Sequence, residues 1–228
     1  MNRTLNVIRM QFVNKQTYIW VPLIVLGASF LISLAIFAMI PYDGPKAGGG
    51  SQAPLWYFLV VGVQSLTLTF PFSQAMSVTR REYFFGTLLT AAVTALMLAI
   101  VFVLGGLVEQ ATDGWGINGY FFYLDWLWEG GPWAALLEYF VIAMLFFVIG
   151  FGSAMIYKRF GGVWLTVVLV GAGLLLVAAI FFISRFNAWG DVFVWLQDAG
   201  ALGLIGIGAI AAAVISGLSF VGLRRATP

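Results

Sequence analysis

Six apolar stretches, each long enough to cross a lipid bilayer, constrain this sequence more than any other feature. A membrane helix needs roughly 20 mostly apolar residues to cross about 30 Å of hydrocarbon. The stretches are continuous and do not alternate between apolar and polar residues, which favours helices over a barrel. We therefore predict an all-α membrane protein with six transmembrane helices, forming a single transmembrane domain over residues 1–228. The predicted spans are about 18–40, 55–76, 84–108, 133–157, 163–183 and 201–223.

The composition indicates that lipid is the main solvent and excludes several kinds of chemistry. Charged residues make up only 9% of the chain and hydrophobic residues 62%, whereas a soluble domain carries about 25% charged residues. Cysteine and histidine are both absent, which removes thiol nucleophiles, imidazole bases and the usual zinc ligands. The sequence also lacks a P-loop and the common hydrolase motifs. We therefore expect neither an enzyme nor a metal site in this chain.

Basic residues are distributed unevenly between the two sides of the predicted bundle. Only Lys46 and Arg185 fall on one side. An excess of lysine and arginine marks the cytoplasmic side of a membrane protein, so both termini are predicted to be cytoplasmic. The nine basic residues on that side are Arg3, Arg9, Lys15, Arg80, Arg81, Lys158, Arg159, Arg224 and Arg225.

Two segments outside the spans have their own predicted structures. Residues 1–17 form a cytoplasmic N-terminal segment in which Leu5, Ile8 and Phe12 share one helical face, so an interfacial helix is expected. Residues 109–132, between spans three and four, are crowded with aromatic side chains. Because aromatic residues favour the headgroup layer, this segment is expected to form a short helix in the outer leaflet or a belt that anchors the spans.

Polar side chains in the second predicted span fall at helical spacing. Gln64, Thr67, Pro71 and Gln74 are spaced 3, 4 and 3 residues apart, which places them on one face of a regular helix. Two amides facing lipid would be unfavourable, so this stripe is predicted to face protein or a water-accessible cleft. Pro71 is expected to kink the helix. Helix packing, a dimer interface and the lining of a transport pathway all remain open interpretations.

Glu138 is an acidic residue inside the fourth predicted span. It lies roughly a turn and a half from the outer end of that span, and an acidic residue at such depth is a candidate functional residue. Two simpler interpretations remain open. The carboxylate reaches the outer interface, or it pairs with Arg185 at the outer end of span five.

A charged group followed by aromatic residues separates spans two and three, in the stretch "SVTRREYFFGTLL" at 77–89. The charges satisfy the positive-inside rule by themselves. The aromatic residues that follow are not explained by that rule. Two arginines offer bidentate contacts to carboxylates, and exposed aromatic residues are typical anchors in a protein groove. The candidate contact group comprises Thr79, Arg80, Arg81, Glu82, Tyr83, Phe84 and Gly86.

The longer stretch "FPFSQAMSVTRREYFFGTLLTAA" at 70–92 resembles the membrane subunits of bacterial ABC-2-type transporters, especially the small six-span permeases of actinobacteria. In those subunits a run of the form F-P-F…G-[VT]-[ST]-R-R-x-[FY]-[FL]-x-G-[TS] joins spans two and three. The sequence follows this run from Phe70 to Thr87 but has Ser77 where glycine is usual. The stretch "TDGWGINGYFF" at 112–122 is also similar to those permeases.

The resemblance implies a permease that is driven by a separate ATPase. In that family the cytoplasmic loop between spans two and three seats in a groove of the ATPase subunit, which binds ATP and magnesium, so no cofactor is expected in this chain. The expected partners are two ATPase subunits, a second permease copy or a sister permease, and the lipid bilayer, but no nucleic acid. The expected location is a bacterial plasma membrane, crossed several times.

Two other functions remain open from the residues alone. The chain is either a permease, or a membrane scaffold or regulator of the same fold that transports nothing, or an autonomous secondary transporter. The last needs ionisable groups near the midplane for coupling ions, and the sequence places none there. The candidate pathway residues are apolar with amides and hydroxyls, so an amphipathic or lipophilic export substrate is expected.

Overall fold

The computed structural model describes residues 3–223, and the side chains from Leu5 onward. Six helices are long and apolar enough to cross a membrane, and we number them as spans one to six. They are Gln16–Met39, Gly49–Ala75, Arg80–Ala111, Gly131–Phe160, Gly162–Arg185 and Trp189–Leu223. Arg224 and Arg225, which were predicted to lie with the other basic residues, are outside the described residues.

Short elements connect and extend the spans. An N-terminal helix covers Arg3–Val13, and a one-turn helix covers Asp125–Trp128. Strands β1 (Lys46–Ala47) and β2 (Gly119–Tyr120) pair in parallel, with Lys46 opposite Gly119. This pairing joins the loop after span one to the loop after span three.

Span four lies at the centre of the packing. It contacts span two, span six and span three most extensively, whereas span five makes a smaller contact, mainly with span four. Spans two and four approach closely because glycine faces backbone on both sides. A Cβ on Gly62 would overlap the Phe147 carbonyl oxygen, and one on Gly150 would overlap the Leu59 carbonyl oxygen. Glycine at these two positions therefore sets the distance between the helices.

The boundaries of three spans differ from the prediction. Span two begins at Gly49 rather than near residue 55, and span three begins at Arg80 rather than near residue 84. The helix of span six begins at Trp189, and its backbone breaks at Gly200, which has φ 58° and ψ −176°. The predicted start near residue 201 therefore coincides with this break, and residues 189–199 add a short helix before it.

The two ends of the bundle have different character, and we name them by it. The basic end holds Arg81 and the N-terminal helix, and the aromatic end holds residues 112–130. The described chain begins and ends at the basic end. There, Gln11 Nε2 donates to Thr87 Oγ1 at 2.7 Å, and Arg80 Nη1 donates to the Leu223 carbonyl oxygen at 3.2 Å.

The N-terminal helix differs from the predicted interfacial helix in the face that it buries. Its buried residues include Val7 and Gln11, each 1% exposed, whereas Leu5 is 52% exposed. The helix packs against span three. The helix therefore packs on the bundle through Val7 and Gln11, and an interfacial position for the face of Leu5, Ile8 and Phe12 stays a prediction.

Candidate functional site

A tight turn at the basic end connects spans two and three, and we call residues 76–82 the elbow. Span two ends in a Schellman motif, in which the Val78 amide donates to the Ser73 carbonyl at 3.1 Å and the Ser77 amide to the Gln74 carbonyl at 3.0 Å. Ser77 occupies the left-handed position of this motif with φ 58°, a position that usually favours glycine. This is the position where the resembling permeases have glycine.

Span three begins with a capping box directly after this turn. The Glu82 amide donates to Thr79 Oγ1 at 3.3 Å, and the Thr79 amide donates to Glu82 Oε2 at 3.1 Å. Each residue thereby satisfies a donor that the first helical turn leaves free. The two caps hold the elbow as a rigid corner of a few residues. Among the described residues, the loop between spans two and three contains no separate helix that could couple to an ATPase.

The candidate contact group divides into an exposed part and a buried part. Thr79 and Arg81 are exposed, and the Arg81 guanidinium lies 5.9 Å from the centre of the Phe85 ring. Tyr83 is 0% exposed and Phe84 is 5% exposed.

Burial changes the role that Tyr83 and Phe84 can have. The hypothesis that these two are exposed anchors for a partner is wrong for this conformation. Gly86 is buried as well. On a helix that begins at Arg80, residues 83, 84 and 87 face the interior while residues 81 and 85 face outward. An aromatic residue that is exposed beside Arg81 is Phe85, which is 44% exposed.

Tyr83 joins the elbow to an irregular turn in span two. The Tyr83 hydroxyl donates to the Ser65 carbonyl oxygen and lies 3.2 Å from Thr69 Oγ1. Ser65–Thr69 is a π-helical turn, in which the Phe70 amide also donates to the Ser65 carbonyl. Pro71 follows at once and has no amide to donate to the helix, so the predicted distortion takes the form of this turn.

The π-helical turn also alters the predicted polar stripe of span two. An additional residue in one turn rotates all later positions by about 100° relative to a regular helix. Gln64 and Thr67 therefore do not continue in line to Pro71 and Gln74. The prediction of one continuous face is wrong for this reason, although all four residues are half-buried.

The polar members of the stripe have separate local environments. Thr67 Oγ1 donates to the Val63 carbonyl of its own helix at 3.0 Å, and Gln74 Nε2 donates to the Val78 carbonyl of the elbow at 3.1 Å. Gln64 lines a pocket of about 80 Å³ with Gln11 and Tyr18. Local hydrogen bonds within span two and the elbow satisfy Thr67 and Gln74, and a role for these residues in helix packing or in a pathway stays a prediction.

Phe84 connects the elbow to two further spans. Its ring centre lies 5.9 Å from that of Phe151 in span four and 4.9 Å from that of Phe220 in span six. Together, Tyr83 and Phe84 therefore place the first turn of span three in contact with spans two, four and six.

Glu138 lies in a different part of the molecule from the span two stripe. It is 4% exposed, and within the described chain its Oε2 atom has no hydrogen-bond partner. It lines a pocket of about 100 Å³ between spans four and six, next to Trp126. Arg185 is exposed at the end of span five. Within the described chain Glu138 Oε2 does not pair with Arg185, and an interfacial position for Glu138 stays a prediction.

Glu109 is a buried carboxylate whose role sequence reasoning missed. It is 0% exposed. Its Oε1 accepts from Trp115 Nε1 at 2.9 Å and the Phe121 amide at 3.0 Å, and its Oε2 accepts from the Phe122 amide at 2.8 Å and the Tyr123 amide at 2.7 Å. This carboxylate therefore fixes the loop of the aromatic end to the end of span three.

Some aromatic residues of the same loop are more deeply buried than is expected for a belt of aromatic residues in the headgroup layer. Phe121 is 1% and Phe122 is 7% exposed. The Phe122 carbonyl accepts from the Tyr139 hydroxyl at 2.6 Å, and the Phe30 ring centre lies 5.3 Å from that of Phe122. The loop is thus a packed cap on spans one, three and four. The predicted short helix is present as the single turn Asp125–Trp128.

Comparison of the chain with protein-family models, with curated proteins and with solved structures found no match. The features that indicate a function are therefore the elbow, the Glu138 pocket and the six spans.

Proposed function

We propose that the chain is the membrane subunit of an ABC-2-type transporter, with its basic end in the cytoplasm and its elbow docked on a separate ATPase subunit. The observation that carries this proposal is the elbow. A rigid, exposed corner bearing Arg81 is followed at once by Tyr83 and Phe84, which are buried against three other spans.

This arrangement suits the transmission of force. A push on the elbow acts on the first turn of span three, because the two caps leave little freedom in the corner itself. Tyr83 passes the displacement to the π-helical turn of span two through its hydrogen bond to Ser65. Phe84 passes it to spans four and six through ring contacts. Packed side chains transmit such shifts because interiors are not freely compressible.

The exposed face of the elbow has the chemistry of a protein contact. Arg81 is exposed, and the Phe85 ring near its guanidinium is 44% exposed; at the end of span two, Phe72 and Met76 are 57% and 59% exposed. An arginine among apolar groups is typical of the centre of an interface. We propose that Arg81 binds a carboxylate of the ATPase while Met76 and Phe85 fill apolar recesses.

Span five offers a surface for the second permease subunit of the proposed assembly. Of its described residues none is buried, and no described atom lies within 4 Å of a Cβ placed on Gly171 or Gly173. Small residues at a helix surface allow two backbones to approach closely in a membrane. A second copy of the chain, or a sister permease, is therefore proposed to pack there.

The test compares two exposed arginines at opposite ends of the bundle. The tagged chain is purified in a mild detergent from its native cell, and the amount and ATP turnover of any ATPase that copurifies are measured. Arg81→Ala should reduce the amount of bound ATPase about tenfold or more, because truncating a central anchor costs on the order of 2 kcal/mol. Arg185→Ala should leave it unchanged.

Two results would contradict the proposal. If the wild-type chain retains no ATP-hydrolysing subunit, it is not driven by ATP in this manner. If Arg81→Ala and Arg185→Ala retain the ATPase equally, the elbow is not its docking site.

A further inference from the structure

We propose that the pocket around Glu138 binds the ammonium group of an amphipathic amine, whose hydrocarbon chain lies in the adjoining groove between spans three, four and six. The inference names a substrate class for the proposed transporter and rests on the proposed function for that use. The binding site itself is argued from the side chains that form it.

The carboxylate provides the first observation. Glu138 is 4% exposed, and its Oε2 has no hydrogen-bond partner among the described residues. An unpaired acidic oxygen inside a protein costs considerable free energy, and buried polar atoms in native proteins are nearly always paired. The second acidic side chain of comparable burial, Glu109, accepts four hydrogen bonds. Glu138 Oε2 thus lacks hydrogen-bond donors of the kind that the fold supplies to Glu109.

The lining of the pocket selects the kind of partner. Apart from Glu138 it is formed by apolar side chains and the indole of Trp126, including Val141, Leu145 and Leu204, in a volume of about 100 Å³. A divalent metal ion needs several oxygen ligands, and the described residues contain no group of three or more metal-ligating side chains. An organic ammonium ion needs only one carboxylate together with apolar or aromatic surface. It is the cation that this pocket fits.

A second cavity borders the first, and we assign the rest of the ligand to it. An apolar groove of about 440 Å³ runs along spans three, four and six, and Val141 lines both the groove and the Glu138 pocket. This volume falls within the range of about 300–1,000 Å³ that is typical of ligand sites. Its walls include Phe85, Leu89, Met144 and Ala213. A charged head at Glu138 and a hydrocarbon chain in the groove therefore make one continuous ligand shape.

The experiment measures binding to the purified chain without any ATPase. The chain is held in dodecyl maltoside, which carries no ammonium group, and is dialysed to equilibrium against radiolabelled decyltrimethylammonium. Protein-free micelles provide the blank. Labelled decanol, which has the same hydrocarbon chain and no charge, is measured in parallel.

Matched variants distinguish the effect of the Glu138 carboxylate on binding from a general effect of negative charge at this end of the bundle. Glu138→Gln should weaken decyltrimethylammonium binding about tenfold or more and leave decanol binding unchanged. Asp43→Asn removes an exposed acid of the same end and should bind as the wild type does. Glu138→Asp keeps the charge and should bind more tightly than Glu138→Gln. Because Glu138→Gln removes an unpaired buried charge, we expect it to fold, and unchanged decanol binding together with an unchanged elution volume checks this.

Added phosphatidylethanolamine distinguishes two sources of the ammonium group. If this lipid displaces the labelled probe, the natural ligand is an amino lipid headgroup. If it does not, the site takes free amphipathic amines. Either result supports the proposal. Equal binding by the wild type and Glu138→Gln, or no saturable binding by the wild type, would overturn it.

The outcome is independent of the ATPase test. If the ammonium probe does not bind, the proposed substrate class is wrong, but the proposal that the elbow docks an ATPase is unaffected. Failure of ATPase docking leaves a membrane protein that binds amphipathic amines.

Discussion

Replacing Glu109 by glutamine should release the loop of the aromatic end, and the size of the effect follows from the four hydrogen bonds that the carboxylate accepts. The amide oxygen of glutamine can replace one carboxylate oxygen and its two donors. The amide nitrogen then faces the other two donors, which are either Trp115 Nε1 with the Phe121 amide or the Phe122 and Tyr123 amides. Two donor groups lose their acceptor in each orientation.

The expected loss in the free energy of unfolding is a large fraction of the stability of a typical domain. Hydrogen bonds to a charged group contribute about 1.5–3 kcal/mol each, so losing two corresponds to about 3–6 kcal/mol. Local opening of residues 112–124 limits how much of this loss appears in global unfolding. Proteolysis of this loop should therefore become faster even if the unfolding temperature of the spans changes little.

The assay combines thermal unfolding with limited proteolysis in dodecyl maltoside. Glu129→Gln serves as the control, because Glu129 is an exposed acid in the same region of the chain. Glu109→Gln should lower the unfolding temperature and accelerate cleavage within residues 112–124, whereas the control should do neither. Identical behaviour of the two variants would refute the reasoning that buried donors hold this loop in place.

Further predictions concern backbone geometry at the other positions described above. Gly150→Ala should destabilise the chain by about 1–3 kcal/mol or more, because its methyl group would overlap the Leu59 carbonyl and push spans two and four apart. Gly27→Ala, which meets open space in the described chain, should change stability by less than about 1 kcal/mol, and equal unfolding temperatures for both variants would contradict the close approach. Ser77→Gly should stabilise the elbow by about 0.5–1 kcal/mol by relieving its left-handed backbone, and a lower unfolding temperature than that of the wild type would argue against the Schellman geometry.

The transmembrane architecture could be predicted from sequence because lipid imposes a simple requirement on length and polarity. Six continuous apolar runs gave six helices, and the break at Gly200 lies next to the predicted start of the last one. Span ends were less accurate. Apolar content does not report where a helix stops in the headgroup region, so the caps decide the ends.

The sequence of the elbow contains a capping-box pattern that predicts a buried Tyr83, in contrast to the expectation of exposed aromatic residues. The order Thr79, Arg80, Arg81, Glu82 fits the capping-box pattern, which begins the helix before the aromatic residues. From that start, Tyr83 falls on the same face as Thr87 and Thr90, and all three are buried. Counting the helical period from residue 79 would therefore have placed Tyr83 in the interior.

Other features could not have been predicted from local pattern. The donors to Glu109 are mostly backbone amides of residues 121–123, and their direction depends on a turn with several left-handed residues, among them Asp113, Trp115 and Asn118. The π-helical turn at Ser65–Thr69 changed the register of the span two stripe, and a spacing argument assumes a regular helix throughout. Tertiary contacts determine the Glu109 site, whereas Pro71 signals a distortion of span two without specifying its form.

The distribution of satisfied polar groups links the two proposed sites. The fold pairs Tyr83 at the elbow and Glu109 at the aromatic end, but within the described chain it leaves Oε2 of Glu138 and Oε1 of Gln11 unpaired. Glu138 and Phe151 both lie on span four, thirteen residues and therefore about 20 Å apart along the helix. Phe151 contacts Phe84 next to the elbow. A displacement of span four that begins at the elbow would therefore move the carboxylate relative to span six and change the size of its pocket, which is how docking at one end can alter ligand affinity at the other.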